Sequence, residues 1–137
     1  MRAHNTVISL VEKGWAGARQ ISLELAREGI VVCHLVKGRL PRELLRVLSS
    51  HAELHLKGAP PRLFKTIAWS VLAGSQFNGA ARLVLVDNER TLHWVGRWFP
   101  RLRNRLVLVR EQPDGSPVMF RSEERVELGA LLAELRT

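Results

Sequence analysis

Short apolar runs alternate along this chain with stretches in which apolar residues recur every three or four positions. The first run is Thr6–Val11 and the second covers residues 30–36. Between them, residues 18–28 carry apolar side chains at helical spacing, and Gly29 stands where a helix ends. Nearly continuous apolar runs are typical of strands that are covered on both faces, as in a parallel sheet. The pattern therefore predicts a β-α-β unit.

The rest of the chain repeats this alternation. Further strands are predicted over residues 53–56, 82–86 and 106–109, and further helices begin near Pro41, near Pro60 and after Asn88. A loop is predicted over residues 74–79. Turn residues at 113–117 predict that residues 118–120 return as a short antiparallel strand, before a last helix over 122–136.

Strands that alternate with helices indicate the α/β class. We expect a single three-layer Rossmann-like domain over residues 1–137, with about five parallel strands and a short antiparallel edge strand. The longest connection separates the third and fourth predicted strands. If it crosses back over the first strand, the order is 3-2-1-4-5, and the order 2-1-3-4-5 stays open.

Composition narrows the function classes. The formal net charge of +8 is compatible with an anionic partner, or with arginines spread over a solvated surface, and their dispersion along the chain favours the second interpretation. The one cysteine, Cys33, argues against a disulfide scaffold and for a reducing compartment. No apolar run has the ~20 residues of a membrane helix. We therefore expect a cytoplasmic protein without a membrane partner.

A Lys-Gly pair follows each of the first three predicted strands. In parallel sheets, ligands bind beyond the carboxyl ends of the strands, where glycine permits close approach and helix N-termini favour anions. The pattern predicts a site for a phosphorylated or nucleotide-like ligand, with the cofactor unknown. The alternative is ordinary turn chemistry. The predicted ligand-binding set is Lys13, Gly14, Gly17, Lys37, Gly38, Arg39, Lys57 and Gly58.

The first turn resembles the dinucleotide-binding fingerprint in its position between a strand and a helix. It departs from that motif because Gly14 alone is placed for the tight turn, and because Trp15 is bulky where a pyrophosphate would lie. The segment ISLELAREGIVV over residues 21–32 is similar to the N-terminal domains of ATP-grasp ligases and of two-domain glycosyltransferases. The resemblance implies a Rossmann-like fold and a binding half, without an activity, since both families need a further domain for catalysis.

Four acids stand at the same predicted edge: Glu12, Asp87, Glu89 and Glu111. Asp87 follows an apolar strand and is a candidate metal ligand, general base or helix N-cap, with the cap preferred. Asp87 and Glu12 are the acids to test if the chain is an enzyme, although the sequence favours binding over catalysis. His51 and His55 are four positions apart across a predicted helix-to-strand break and have no cysteine partner, so we predict no metal site.

A second candidate surface lies on the predicted fourth helix. Trp94 and Trp98 are four residues apart and so share a helical face, with Arg97 and Arg101 nearby. If the two tryptophans lie outside the apolar face with which this helix packs on the sheet, they would form an exposed patch for a protein partner or for a second copy of the chain. Stacking on single-stranded nucleic acid is the less favoured alternative. The sequence thus also predicts a non-catalytic interaction subunit, or a stand-alone half of a larger enzyme.

Overall fold

The computed structural model describes residues 6–14, 16–40, 42, 46, 53–78 and 81–136. Most of the helix predicted to begin near Pro41 lies outside these residues, as does Trp15 in the first turn. Arg42 and Arg46 are the described positions in that segment, and both are helical.

Apart from the helical positions Arg42 and Arg46, the described residues form seven strands, four α-helices and one 3₁₀ helix. The strands are β1 (Thr6–Val11), β2 (Val31–Lys37), β3 (Leu54–Ala59), β4 (Ala81–Val86), β5 (Leu106–Glu111), β6 (Pro117–Arg121) and β7 (Glu124–Val126). The α-helices are α1 (Ala16–Arg27), α2 (Phe64–Asn78), α3 (Glu89–Trp98) and α4 (Leu128–Arg136), and the 3₁₀ helix covers Pro100–Arg105. None of the helices in the described part of the chain has the length and apolar character that a membrane crossing requires.

All seven strands belong to one sheet in the order β3-β2-β1-β4-β5-β6-β7. Neighbours from β3 to β5 pair in parallel, whereas β6 and β7 pair antiparallel. The predicted α/β class is confirmed as a mixed fold with a mostly parallel sheet. The connection that contains α2 carries the chain from β3 back to the free side of β1, which gives the first of the two expected orders.

Two hydrophobic clusters cover the centre of the sheet, one on each face. Val7 and Val11 of β1 belong to the cluster that includes α1 and α4. Ile8 and Leu10 belong to the cluster that includes α2 and α3. Because successive side chains of a strand point to opposite faces, a central strand that is covered on both sides must be apolar throughout. This explains the continuous apolar runs in the sequence.

Two predicted boundaries are wrong near glycines. The strand predicted to end at Leu56 continues to Ala59, because Ala59 pairs with Lys37 at the end of β2. The loop predicted from Gly74 is part of α2, which continues to Asn78. A glycine inside a helix costs only about 1 kcal/mol relative to alanine, so packing of the rest of the helix can override it.

The predicted last helix is wrong in its first half. Ser122 and Glu123 form a two-residue turn between β6 and the unpredicted strand β7, and α4 begins only at Leu128. Both turn residues adopt positive φ angles, 52° and 68°, which are uncommon for residues other than glycine. A strand of three residues is too short to show a periodic pattern in the sequence. Strand β7 forms because it pairs with β6.

Candidate functional site

The order of the sheet reverses between β1 and β4, so the residues that follow these two strands lie side by side at the carboxyl edge. Asp87, directly after β4, is only 2% exposed. Its Oδ2 accepts hydrogen bonds from the backbone N–H groups of Lys13 at 2.8 Å and Gly14 at 3.2 Å. Its Oδ1 accepts from the backbone N–H of Glu12 at 2.9 Å and from the Asn88 side chain at 3.0 Å.

The Asp87 carboxylate therefore fills the cradle of backbone donors in the β1–α1 turn. Consecutive N–H groups that point to one spot form an anion-binding concavity, and such a concavity can hold a phosphate. Here the protein's own carboxylate already uses the donors of Glu12, Lys13 and Gly14. An external anion would have to displace Asp87 to use them.

Asn88, rather than Asp87, caps α3. The Asn88 side chain accepts a hydrogen bond from the backbone N–H of Thr91 at 2.8 Å, whereas the Asp87 side chain points to β1. Glu12 is also engaged: its Oε1 accepts from the Thr91 hydroxyl at 3.1 Å, and its Oε2 from the Lys37 ammonium at 3.3 Å. Asp87 and Glu12 thus join β1, β2, β4 and α3.

The structure brings together only part of the predicted lysine set. Lys37 ends β2 and pairs with Glu12. Lys13, the residue after Glu12, is exposed in the β1–α1 turn. Lys57 lies inside β3, opposite Leu35, and does not follow the end of its strand. The predicted Lys-Gly turn after the third strand is therefore wrong. Arg39 is exposed beyond the end of β2.

The four predicted glycines have local structural reasons. Gly14 and Gly38 have φ angles of 75° and 103°, which favour glycine. A Cβ on Gly58 would lie 2.8 Å from the Gly38 carbonyl oxygen, and a Cβ on Gly17 would lie 2.9 Å from Pro117 Cβ. Gly58 thus allows close backbone approach between β3 and the turn after β2, and Gly17 allows β6 to approach the start of α1.

The two tryptophans predicted as one partner surface differ in exposure. Trp94 is 9% exposed and belongs to the cluster beneath α3, with Lys65 Nζ of α2 5.5 Å from its ring centroid. Trp98 is 61% exposed. Trp94 therefore contributes to the core, and of the two tryptophans only Trp98 is exposed.

A second exposed tryptophan, which the sequence analysis missed, lies on α2, and its ring contacts the residue that follows Trp98. Trp69 of α2 is 48% exposed, and its ring centroid lies 5.6 Å from that of Phe99, the residue after Trp98. The buried residues of α2 recur at Phe64, Ala68 and Leu72. Trp69 falls outside this spacing, which is the signal that could have identified it. We define the α2–α3 surface by Lys65, Trp69, Trp98 and Arg101.

On the other flank of α3, a groove of about 850 Å³ separates the helix from β5 and β6. We call it the α3–β5 groove. Apolar side chains from α3, β5 and β6 and three arginines line it. Arg97, which was predicted as part of the partner surface, belongs to this lining. The sequence analysis did not identify this groove, since no local pattern reveals which strands a helix leaves uncovered.

A buried polar pair lies beneath α1. Ser22 Oγ and His34 Nδ1 are 2.9 Å apart, and both residues are at most 3% exposed. Burial, with a smaller contribution from the charge of Arg19, lowers the pKa of His34 to about 4. Burial also raises the pKa of the neighbouring Cys33 thiol, which makes it a poor nucleophile at neutral pH. Ser22 and His34 therefore satisfy each other's hydrogen-bonding groups in the interior and do not form an accessible site.

In the part of the chain that the structure describes, no three His, Cys, Asp or Glu side chains come together as potential metal ligands. Comparisons with protein-family models, with curated proteins and with solved structures find no match to this chain. The function is therefore inferred from the geometry of the surfaces above.

Proposed function

We propose that this chain is a non-catalytic interaction domain that binds an acidic region of a partner protein through the α2–α3 surface. The observation that carries this proposal is the joint exposure of Trp98 and Trp69, at 61% and 48%. Exposed aromatic side chains mark interaction surfaces, and tryptophan is enriched among the residues that dominate binding energy.

Charge favours an acidic partner over a second copy of the chain. Lys65 and Arg101 flank the two tryptophans and are exposed. The whole chain carries a formal net charge of +8, so two copies that meet at this surface would repel one another. An acidic partner would instead be attracted by this positive charge. Charges at the rim of an interface mainly raise the rate of association.

The fold supports a binding role. We infer a three-layer Rossmann-like architecture, because the strand order β3-β2-β1-β4-β5 and the two covered faces agree with one. A chain of this kind can act as a subunit or as the stand-alone half of a larger enzyme. The half-buried free Cys33 is compatible with a reducing cytoplasmic environment.

Site-specific photo-crosslinking tests the proposal. A photoreactive residue is placed at position 98, and the control carries it at exposed Arg27 on α1. We expect an acidic protein to crosslink from position 98 alone. With that protein purified, the double variant Trp69→Ser, Trp98→Ser should weaken binding at least about tenfold, as loss of hot-spot aromatics does.

The matched control is Leu63→Ser, which removes an exposed apolar side chain (49% exposed) just before α2. It should leave the affinity unchanged. The proposal fails if the double variant binds as well as the native chain. It also fails if position 98 crosslinks to a second copy of the chain, or if both crosslinking positions capture the same proteins.

A second candidate is a phosphorylated ligand at the carboxyl edge between β1 and β4. Exposed Lys13, with the positive-φ glycines Gly14 and Gly38, supports it, because this edge is the reversal point of the sheet. A thermal-shift panel of nucleotides, nucleotide sugars and inorganic phosphate tests it. A salt-resistant rise in melting temperature that is lost in the Lys13→Ala, Lys37→Ala variant would support this site. No rise with any of these ligands would mean that the backbone donors at this edge serve only to bind Asp87.

A further inference from the structure

The floor of the α3–β5 groove is a part of the sheet that α3 does not fully cover. Leu108 of β5 and Phe120 of β6 are paired in register, so their side chains lie side by side on this face. Leu106 extends the floor along β5, and partly buried Leu92 of α3 forms one wall. The volume of about 850 Å³ falls within the roughly 300–1,000 Å³ of small-molecule sites.

Two guanidinium groups line the same end of this groove. Arg103 Nε donates a hydrogen bond to the Gly96 carbonyl oxygen at 2.8 Å, which holds the Arg103 side chain against α3. A Cβ at Gly96 would lie 3.7 Å from Arg103 Cγ and 3.5 Å from Leu106 Cδ1, which are ordinary van der Waals distances, so both side chains lie against this turn of α3. Arg97 follows Gly96, and within the described residues its side chain makes no hydrogen bond or ion pair.

The opposite end of the groove is internally balanced. Arg110, near the end of β5, pairs with Glu89 at the start of α3. The Arg110 guanidinium also lies 5.9 Å from the ring centroid of Phe120. Glu89 pairs with Arg110 at this end, so these two charges offset each other. The Arg97 and Arg103 end has two guanidinium groups against the single carboxylate of Glu123, and it therefore keeps a net positive charge.

The β6–β7 turn closes that same end. Leu108 pairs with Phe120, so the antiparallel register places Ser122 and Glu123 beside the beginning of β5. Both residues line the groove and hold the left-handed φ angles that an Asn-Gly turn would adopt without strain. The turn therefore adds the Ser122 side chain and the Glu123 side chain to the lining at this end.

We propose that the α3–β5 groove is a binding site for a small amphiphilic anion. The ligand has an apolar body, which lies on Leu92, Leu108 and Phe120. It carries one carboxylate, phosphate or sulfonate group, which Arg97 and Arg103 bind. The groove is independent of the α2–α3 surface, because none of the residues that define that surface lines it.

The test uses 1-anilinonaphthalene-8-sulfonate as the probe, with fluorescence for affinity and ¹H–¹⁵N NMR shifts for location. We expect one saturable site, with shifts in α3, β5 and β6. Dodecyl phosphate should displace the probe, whereas dodecyltrimethylammonium and inorganic phosphate should not. Vesicles that contain phosphatidylserine, compared with monomeric dodecyl phosphate, separate a membrane lipid from a free amphiphile as the source of the anion.

Variants assign the charges. The double variant Arg97→Ala, Arg103→Ala should raise the Kd of the probe at least tenfold, with the native thermal melt retained. Arg27→Ala on α1 removes an arginine from the other face of the sheet and should leave the Kd unchanged. Trp98→Ser should also leave it unchanged, so this test does not depend on the proposed protein interaction.

Four results would overturn the proposal. One is NMR shifts that map to Trp69 and Trp98 rather than to the groove. Another is an unchanged Kd in the Arg97→Ala, Arg103→Ala variant. The others are displacement by the cationic amphiphile as readily as by dodecyl phosphate, and full displacement by inorganic phosphate, which would show that the apolar floor contributes nothing.

Discussion

Asp87 is the residue that most changes the interpretation of the carboxyl edge. In the sequence it is an acid after an apolar strand, a position that several kinds of site share. In the structure its carboxylate accepts hydrogen bonds from three consecutive backbone N–H groups across the reversal point of the sheet. Its role is therefore to hold the β1–α1 turn against β4.

Replacement of this carboxylate by an amide should destabilise the protein. In Asp87→Asn, one acceptor oxygen becomes an NH₂ group that faces backbone donors, so buried N–H groups lose their partner. Hydrogen bonds to charged groups and unsatisfied buried donors together suggest a loss of about 2–4 kcal/mol in the free energy of unfolding. Urea denaturation measures the loss, and hydrogen exchange at Lys13 and Gly14 should become faster.

Asp114→Asn is the matched control, since Asp114 is exposed and accepts a bond from the Ser116 N–H that an asparagine oxygen can also accept. It should change the stability little. If Asp87→Asn and Asp114→Asn lower the free energy of unfolding equally, Asp87 does not hold the β1–α1 turn against β4.

His34 makes the stability depend on pH. Its pKa is about 4 in the folded chain against an ordinary 6.5, because burial disfavours the charged ring and Arg19 adds repulsion. The unfolded chain therefore binds a proton more readily than the folded chain between these two values. Stability is fully present above pH 6.5 and should fall by about 1.4 kcal/mol per pH unit as the pH drops from 6.5 towards 4.

Urea denaturation at several pH values between 7.5 and 4.5 measures this dependence. His34→Gln removes the titrating group and should flatten the slope, even if it lowers the stability at neutral pH. His55→Gln changes an exposed histidine of β3 and should keep the native slope. Parallel curves for the native chain and His34→Gln would show that another group is responsible.

At the scale of elements, close approaches between backbones decide how α1 and β3 pack. Gly17 lies in the first turn of α1, where Pro117 of β6 covers it, and Gly58 lies under the Gly38 carbonyl. Both were predicted as ligand contacts because glycine at a strand edge permits a phosphate to approach. The structure instead places the protein's own backbone or proline ring there.

Gly17→Ala should therefore destabilise the chain. The new Cβ would lie 2.9 Å from Pro117 Cβ and 3.2 Å from Pro117 Cα, and neither a proline ring nor backbone can move away easily. Overpacking of this kind costs about 1–3 kcal/mol, which exceeds the gain of roughly 0.5–1 kcal/mol from alanine in a helix. Thermal or urea unfolding measures the net loss.

Gly74→Ala is the control, because nothing lies within 4 Å of a Cβ at this exposed position in α2. It should stabilise the chain by about 0.5–1 kcal/mol. If both substitutions stabilise the protein, Gly17 is not held by contact with Pro117.

At the scale of the whole molecule, α3 separates two surfaces of different chemistry. On one flank lie exposed tryptophans with flanking cations, and on the other lies an apolar groove with arginines at one end. The net charge of +8 adds a long-range attraction for anions to both. The two tests are separable, since Trp98→Ser alters one flank and Arg97→Ala with Arg103→Ala alters the other.

The strands and helices were predictable to the extent that they carry a periodic pattern. β1 was predicted with the observed bounds, because a central strand is apolar on both faces and polar residues flank it. β7 and the start of α4 were not, since three residues show no period and the Ser122–Glu123 turn lacks the usual Asn-Gly sequence. The candidate sites were predictable only as residue types near strand ends.

The sequence by itself determined the α/β class, the parallel centre of the sheet and the basic character of the chain, because hydrophobic period and charge are local properties. Only the tertiary structure decided which predicted groups meet. Asp87 lies next to Lys13 because β4 pairs with β1, although 74 residues separate them. Trp94 is buried in the cluster beneath α3, whereas Trp98, four residues later on the same helix, is exposed. Contacts between distant segments depend on strand order and helix placement, which no local pattern encodes.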